Sequence, residues 1–123
     1  MAIDIGIHTD LKLSFAEAVQ KTREALQVEG FGVLTQIDVQ ATLKQKINVD
    51  FRRYAILGAC NPALAHRALL ANLNVGLLLP CNVVVYEDGA GSVVAAVDPV
   101  ETLGVLKDDR EAHAVAVEAR TRL

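Results

Sequence analysis

The chain has 123 residues, of which 52% are hydrophobic and 22% charged, a balance that indicates one globular domain spanning residues 1–123. The formal net charge of −3 argues against a nucleic-acid-binding module, because such modules carry a basic excess. No stretch approaches the ~18 consecutive apolar residues of a membrane helix, and no basic patch precedes an apolar run as in a secretory signal, so we expect a soluble, cytoplasmic protein.

The first third of the chain predicts a strand followed by a helix. Isoleucines alternate with other residues over 3–8, the spacing of a half-buried strand. Ser14 and Glu17 have the spacing of a capping box, which predicts a helix start, and apolar residues including Ala18 and Ala25 recur at helical intervals after it. Gly30 is suited to end this helix, because glycine adopts a left-handed conformation at little cost.

The middle of the chain predicts two more strands and two helices. A second strand is expected over residues 31–38, with Asp38 capping a short helix that carries Leu43 and Ile47. A third strand is expected over residues 54–60. Asn61 and Pro62 then predict a helix start, since Asn caps well and the missing donor of Pro costs nothing at the first helical position.

The last third predicts a hairpin and two helices. Strands are expected over residues 81–87 and 92–97, because an Asp-Gly turn separates two β-branched runs. Asp98 is expected to cap a short helix. A final helix is expected after Asp108 and Asp109. The buried stripe of this last helix comprises Ala112, Val115, Ala116, Ala119 and Leu123. The resulting order predicts an α+β fold: a single, mostly antiparallel, five-stranded sheet with helices packed on one main face.

Three segments of the chain resemble the family called domain of unknown function 302. They are residues 58–65 (GACNPALA), 77–87 (LLLPCNVVVYE) and 97–99 (VDP), and the resemblance extends over nearly the whole chain. It implies a small α+β fold with a layout like that of the TATA-binding protein, often as a homodimer, and it implies no established activity. Such a layout does not imply DNA binding, because function resides in sites and not in folds.

Two cysteines carry the most reactive chemistry in the sequence. Cys60 precedes a predicted helix N-terminus, whose amides and dipole would lower the pKa of a thiol, and Cys81 begins a strand. Each is followed by an asparagine, Asn61 and Asn82, which could donate hydrogen bonds to a bound anion. If the two strands are neighbours, the thiols meet and form a redox pair, a soft-metal site or a nucleophile; the simpler interpretation makes both small buried apolar residues.

The three histidines do not form a recognisable metal motif. His8 falls on the polar side of the first strand, His66 lies off the apolar stripe of its helix, and His113 lies on the exposed side of the last helix. A metal site that combines His66 with Cys60 and Cys81 remains open, although its ligands are scattered and structural zinc sites have four.

Three functions remain for such a chain. The first is a homodimeric binding module with an apolar cleft near Cys60 and Cys81 for a small molecule or a soft metal ion. The alternative is a thiol-dependent enzyme or redox protein that uses Cys60. The third is a purely structural or interaction protein. No motif identifies a cofactor, and whether the chain is an enzyme stays open.

Overall fold

The structure, a computed structural model, describes residues 6–102 and 110–122, with side chains described over 6–100 and 114–122. The elements follow one another as β1 (Gly6–Leu11), α1 (Phe15–Val28), β2 (Gly32–Asp38), α2 (Val39–Ile47), β3 (Tyr54–Cys60), α3 (Pro62–Ala71), a 3-10 helix (Leu73–Leu78), β4 (Cys81–Asp88), β5 (Gly91–Val97), α4 (Pro99–Thr102) and α5 (Arg110–Arg122). No helix in the described ranges is long and apolar enough to cross a bilayer.

The five strands form one sheet in the order β1-β5-β4-β3-β2, and every neighbouring pair is antiparallel. The predicted α+β fold is therefore confirmed. The first strand begins at Gly6 and continues to Leu11, three residues beyond the predicted end, because pairing with β5 extends from Gly6 to Leu11. Residues 3–5 of that predicted strand lie outside the described residues.

Helix ends follow the local signals in the sequence. The Ser14 hydroxyl accepts a hydrogen bond from the Glu17 amide at 3.3 Å, and Asp38 caps α2 by accepting from the Ala41 amide at 2.9 Å. Gly30 has a φ of 86° just after α1, in the left-handed region that favours glycine. These signals act within three residues along the chain, so the sequence alone predicts them.

The hydrophobic core lies between one face of the sheet and three helices. The sheet contributes Leu57, Ala59, Val83 and Val85, which the strand register places on the same face. The helices contribute Ala18 and Leu26 from α1, Leu64 and Ala68 from α3, and Val115, Ala116 and Ala119 from α5. The prediction that Ala25 also lies on the buried stripe of α1 is wrong, since this side chain is exposed; Ala112 and Leu123 lie outside the described side chains.

The opposite face of the sheet also carries apolar side chains, and none of them belongs to this core. We call it the outer face; it includes Ile37, Tyr54, Ile56, Val84 and Tyr86. The two tyrosine rings stack at a centroid distance of 5.3 Å, and Ile37 is 48% exposed. Antiparallel sheets with one solvated face commonly place polar residues there, so the apolar character of this face is notable.

Replacing Ser14 tests whether the capping box holds the start of α1. We expect Ser14→Ala to lower the free energy of unfolding by about 1 kcal/mol, because the first-turn amide of Glu17 loses its acceptor. Urea unfolding followed by circular dichroism measures the change. Gln27→Ala, at an exposed position near the other end of α1, is the control and should change stability by less than about 0.5 kcal/mol. An equal loss in both variants would contradict the assignment.

Candidate functional site

Cys60 lies at the junction where β3 ends and α3 begins. Asn61 caps the helix: its side-chain oxygen accepts a hydrogen bond from the Leu64 amide at 3.2 Å, and Pro62 occupies the first helical position. Asn61 is only 9% exposed, so this junction lies inside the protein. The predicted Asn-Pro helix start is confirmed. It holds the backbone at Cys60 in place, because Cys60 directly precedes the capping residue.

Cys81 lies on the strand next to Cys60. It is the first residue of β4 and is paired with Ala59 of β3, so the two cysteines are on adjacent strands, one residue out of register. Both are free and partly buried. The sequence left open whether their strands are neighbours, and the sheet order shows that they are.

Gly58 allows the chain before Cys81 to approach β3 closely. A Cβ atom at Gly58 would collide with the hydroxyl of Thr35 and would lie 3.0 Å from Cγ of Pro80. Any larger residue would therefore push either β2 or the Leu79–Pro80 segment away from β3. The sequence analysis placed Gly58 only as one residue of a strand, because nothing local signals a contact between residues 58 and 80.

A small cavity opens beside the two cysteines, with a volume of about 30 Å³. Both cysteines line it together with Asn61, and its remaining walls are apolar. Those walls include Phe31, Leu64, Ala68, Leu79, Pro99 and Val115. A cavity of this volume holds about one water-sized guest. We call it the thiol cavity; its position between the sheet and α3 matches the predicted apolar cleft, whereas the contributions of Phe31 and Pro99 were not predicted.

The apolar walls control the acidity of both thiols. Burial raises the pKa of the Cys60 thiol above its ordinary value, because removal from water disfavours the thiolate. Burial also raises the pKa of Cys81, and the nearby Cys60 raises it further. The prediction that the pKa of Cys60 is lowered at the start of α3 is therefore wrong, because burial raises it.

The other candidate residues lie away from this cavity. Asn82 is exposed and is paired with Gly58 on the outer face of the sheet. His66 is exposed on α3 and does not line the thiol cavity. His8 is exposed on β1, and the side chain of His113 lies outside the described side chains. The structure thus brings Cys60, Asn61 and Cys81 together at this cavity, whereas Asn82 lines a neighbouring depression with Cys81 and Pro99.

The part of the chain that the structure describes contains no cluster of three or more His, Cys, Asp or Glu side chains that could hold a metal ion. Both cysteines line the thiol cavity. Thiolates are soft ligands that suit Cu(I), whereas structural zinc sites require four ligands.

Comparison with known proteins places the chain in a family. The model of a domain of unknown function, DUF302, matches residues 7–123. The chain belongs to the DUF302 family. An uncharacterised conserved DUF302 protein from Bacillus stearothermophilus, known from a crystal structure, is 33% identical, and the alignment covers 96% of this chain and 91% of that one with a TM-score of 0.87. Among curated proteins, none matches this chain at a significant level.

Membership in DUF302 confirms the resemblance that the three sequence segments indicated. The similarity in fold extends over almost the full length of both chains. A family of unknown function supplies no activity, and the function of this DUF302 chain has to be argued from its own thiol cavity and surfaces.

Asn61 should stabilise the cavity through its cap. We expect Asn61→Ala to lower the free energy of unfolding by about 1–2 kcal/mol, because the Leu64 amide loses its acceptor in a buried position. Denaturant titration measures the loss. Asn82→Ala is a matched control, since Asn82 follows the other cysteine but is exposed; it should change stability by less than about 0.5 kcal/mol. Equal effects would show that the cap is not the cause.

The raised thiol pKa values predict slow alkylation at neutral pH. The rate of iodoacetamide labelling at Cys60 and Cys81, mapped by mass spectrometry, should rise with pH with a midpoint above that of the same cysteines in the urea-unfolded chain, about 8.5. The sign follows from burial, which favours the neutral thiol in the folded protein. A midpoint below the unfolded value at Cys60 would instead indicate an activated thiolate.

Proposed function

We propose that this DUF302 chain is a small homodimeric binding protein whose thiol cavity holds one soft metal ion such as Cu(I). The observation that carries this proposal is the pair of free cysteines lining a cavity of about 30 Å³ with otherwise mostly apolar walls. Dimerisation is supported separately, by the apolar outer face of the sheet.

The size of the thiol cavity favours an ion over an organic ligand. Small-molecule sites usually measure about 300–1,000 Å³, which is at least ten times the volume available here. A single ion needs no more room than one water molecule. Of the two guests that the sequence analysis left open for this cleft, the cavity therefore supports the soft metal ion.

The chemistry of the walls favours a soft monovalent ion. Two thiolates satisfy Cu(I), and the side-chain oxygen of Asn61, the polar neighbour of the two cysteines in this cavity, is already engaged as the acceptor of the Leu64 amide. Binding has to displace the thiol protons, since the thiolate is the ligand. The raised pKa of each thiol therefore makes metal affinity depend on pH, with binding stronger as pH rises and fewer protons have to be released.

The alternative function, an enzyme or redox protein that uses Cys60, has weaker support. A nucleophilic cysteine is usually activated by a lowered pKa or a neighbouring base. Here burial raises the pKa of Cys60, and the described side chains that line the cavity include no histidine or carboxylate. Rapid, specific labelling of Cys60 at neutral pH would reverse this preference.

The outer face of the sheet supports a homodimer. Ile37, Ile56 and Val84 project from it together with the stacked rings of Tyr54 and Tyr86. Pairing two such faces in a closed, two-fold arrangement removes the same apolar side chains from water on both chains. A second copy of the chain is a suitable partner for the outer face, because in a two-fold dimer the same face of each chain forms the interface.

The metal proposal is tested by titration under anaerobic conditions. With Cu(I) supplied from a complex with the chromogenic chelator bathocuproine disulfonate, we expect the reduced protein to withdraw one ion per chain. Cys60→Ser and Cys81→Ser should each abolish this competition, because one thiolate cannot hold the ion alone, and Asn82→Ala should retain it. No withdrawal of copper by the natural chain, or withdrawal by either cysteine variant as strong as that by the natural chain, would refute the site.

The dimer proposal is tested by light scattering at micromolar concentration. We expect the natural chain to have twice the mass of one chain and Val84→Lys to be monomeric, because a buried lysine at the centre of the outer face would lack a partner. Leu73→Lys changes a leucine that is 84% exposed elsewhere and should remain dimeric. A monomeric natural chain, or dissociation by Leu73→Lys only, would rule out the outer face as the interface.

A further inference from the structure

A second and larger depression lies on the helical side of the molecule, between α1 and α5. It has a volume of about 660 Å³ and shares no lining residue with the thiol cavity. Its floor is the sheet itself, at Leu11, Val83, Val94 and Ala96. We call it the helix groove. Its volume falls within the range of about 300–1,000 Å³ that is typical of small-molecule sites.

The floor and inner wall of the helix groove are apolar. Val94 and Ala96 of β5 remain partly exposed although they project from the core face of the sheet, since α1 and α5 do not close over them. Thr22, on the α1 wall, uses its hydroxyl to donate a 2.7 Å hydrogen bond to the Ala18 carbonyl, so it presents its methyl group without an unsatisfied donor. An apolar body laid along this floor would remove these surfaces from water.

The rim of the groove carries an excess of positive charge. Lys21 from α1 and Arg122 from α5 line it, with Glu29 as the acidic residue among the lining side chains. The Lys21 ammonium lies 3.9 Å from the Glu24 carboxylate, with both side chains more than half exposed, which is a weak attraction in water. Arg122 donates to the backbone carbonyl of Glu29 at 3.5 Å and keeps further donors available.

We propose that the helix groove binds a small amphipathic anion, with its apolar body on the sheet floor and its carboxylate or similar head group between Lys21 and Arg122. The apolar floor selects the body and the two cations select the sign of the head group, because charge-assisted hydrogen bonds to an anion are stronger than those to a neutral group. The whole chain carries a net charge of −3, which would attract cations in general. The two cations at the groove locally reverse this preference, so an anionic ligand is attracted there and a cationic one is repelled.

The proposal is tested by calorimetric titration with decanoate below its micelle concentration, at low ionic strength. We expect saturable binding of decanoate, at least tenfold tighter than that of decyltrimethylammonium, which has the same chain length and the opposite charge. No saturable binding of decanoate, or equal binding of the two probes, would overturn the proposal. The double variant Cys60→Ser/Cys81→Ser should bind decanoate unchanged, which separates this site from the thiol cavity.

Two pairs of variants locate the site within the groove. Ala25 is exposed and lines the groove, so Ala25→Trp should fill it and weaken decanoate binding at least tenfold; Ala16→Trp, also exposed on α1 but not part of the groove, should have no effect. The double variant Lys21→Gln/Arg122→Gln should bind decanoate about tenfold more weakly.

The control for charge is Lys12→Gln/Lys46→Gln, which removes two exposed cations outside the groove and should leave decanoate binding unchanged. Circular dichroism verifies that each variant is folded before titration. Retention of full affinity by Ala25→Trp would place decanoate elsewhere on the surface and overturn the proposal. Equal weakening by the two charge-removing variants would show that net charge, and not the groove rim, attracts the anion, and would also overturn it.

Discussion

The antiparallel pairing of β3 with β4 is the contact on which the rest of the molecule depends. Leu57 faces Val83, Ala55 faces Val85 and Ala59 faces Cys81 across this ladder, and Leu57, Val83 and Val85 are almost completely buried. A shift of one residue would turn these side chains to the opposite face of the sheet, leaving the helices without a surface to pack on.

The apolar surroundings of Cys60 and Cys81 result from the packing of the hydrophobic core on the β3–β4 pair. The end of the β3–β4 ladder lies beneath α3 and beside α5, so the apolar residues that stabilise the packing also form the walls of the thiol cavity. Loss of water raises the pKa of both thiols, although Cys60 precedes a helix N-terminus. The cause is the apolar nature of the walls, which removes the thiols from water and disfavours their charged form.

The two faces of the sheet differ in the surfaces that they leave accessible to solvent. On the helical face, α1 and α5 are held apart far enough to leave the helix groove, whose floor is the sheet and whose rim carries Lys21 and Arg122. On the outer face, apolar side chains around Tyr54 and Tyr86 lie outside the core. These two open surfaces, one on each side of the sheet, are the ones for which we propose an amphipathic ligand and a second chain.

The sequence by itself determined where three helices begin and where α1 ends, because the caps at Ser14, Asp38 and Asn61 and the glycine after α1 act over three residues or fewer. The end of β1 depended on its pairing with β5. The sequence also predicted the α+β class and the place of the cleft beside Cys60 and Cys81. Only the tertiary structure decided the acidity of the thiols, the volume of their cavity and the existence of the helix groove. Each of those depends on side chains that are distant in sequence, as when Phe31 and Val115 meet at the thiol cavity, and burial by such contacts outweighs any local signal.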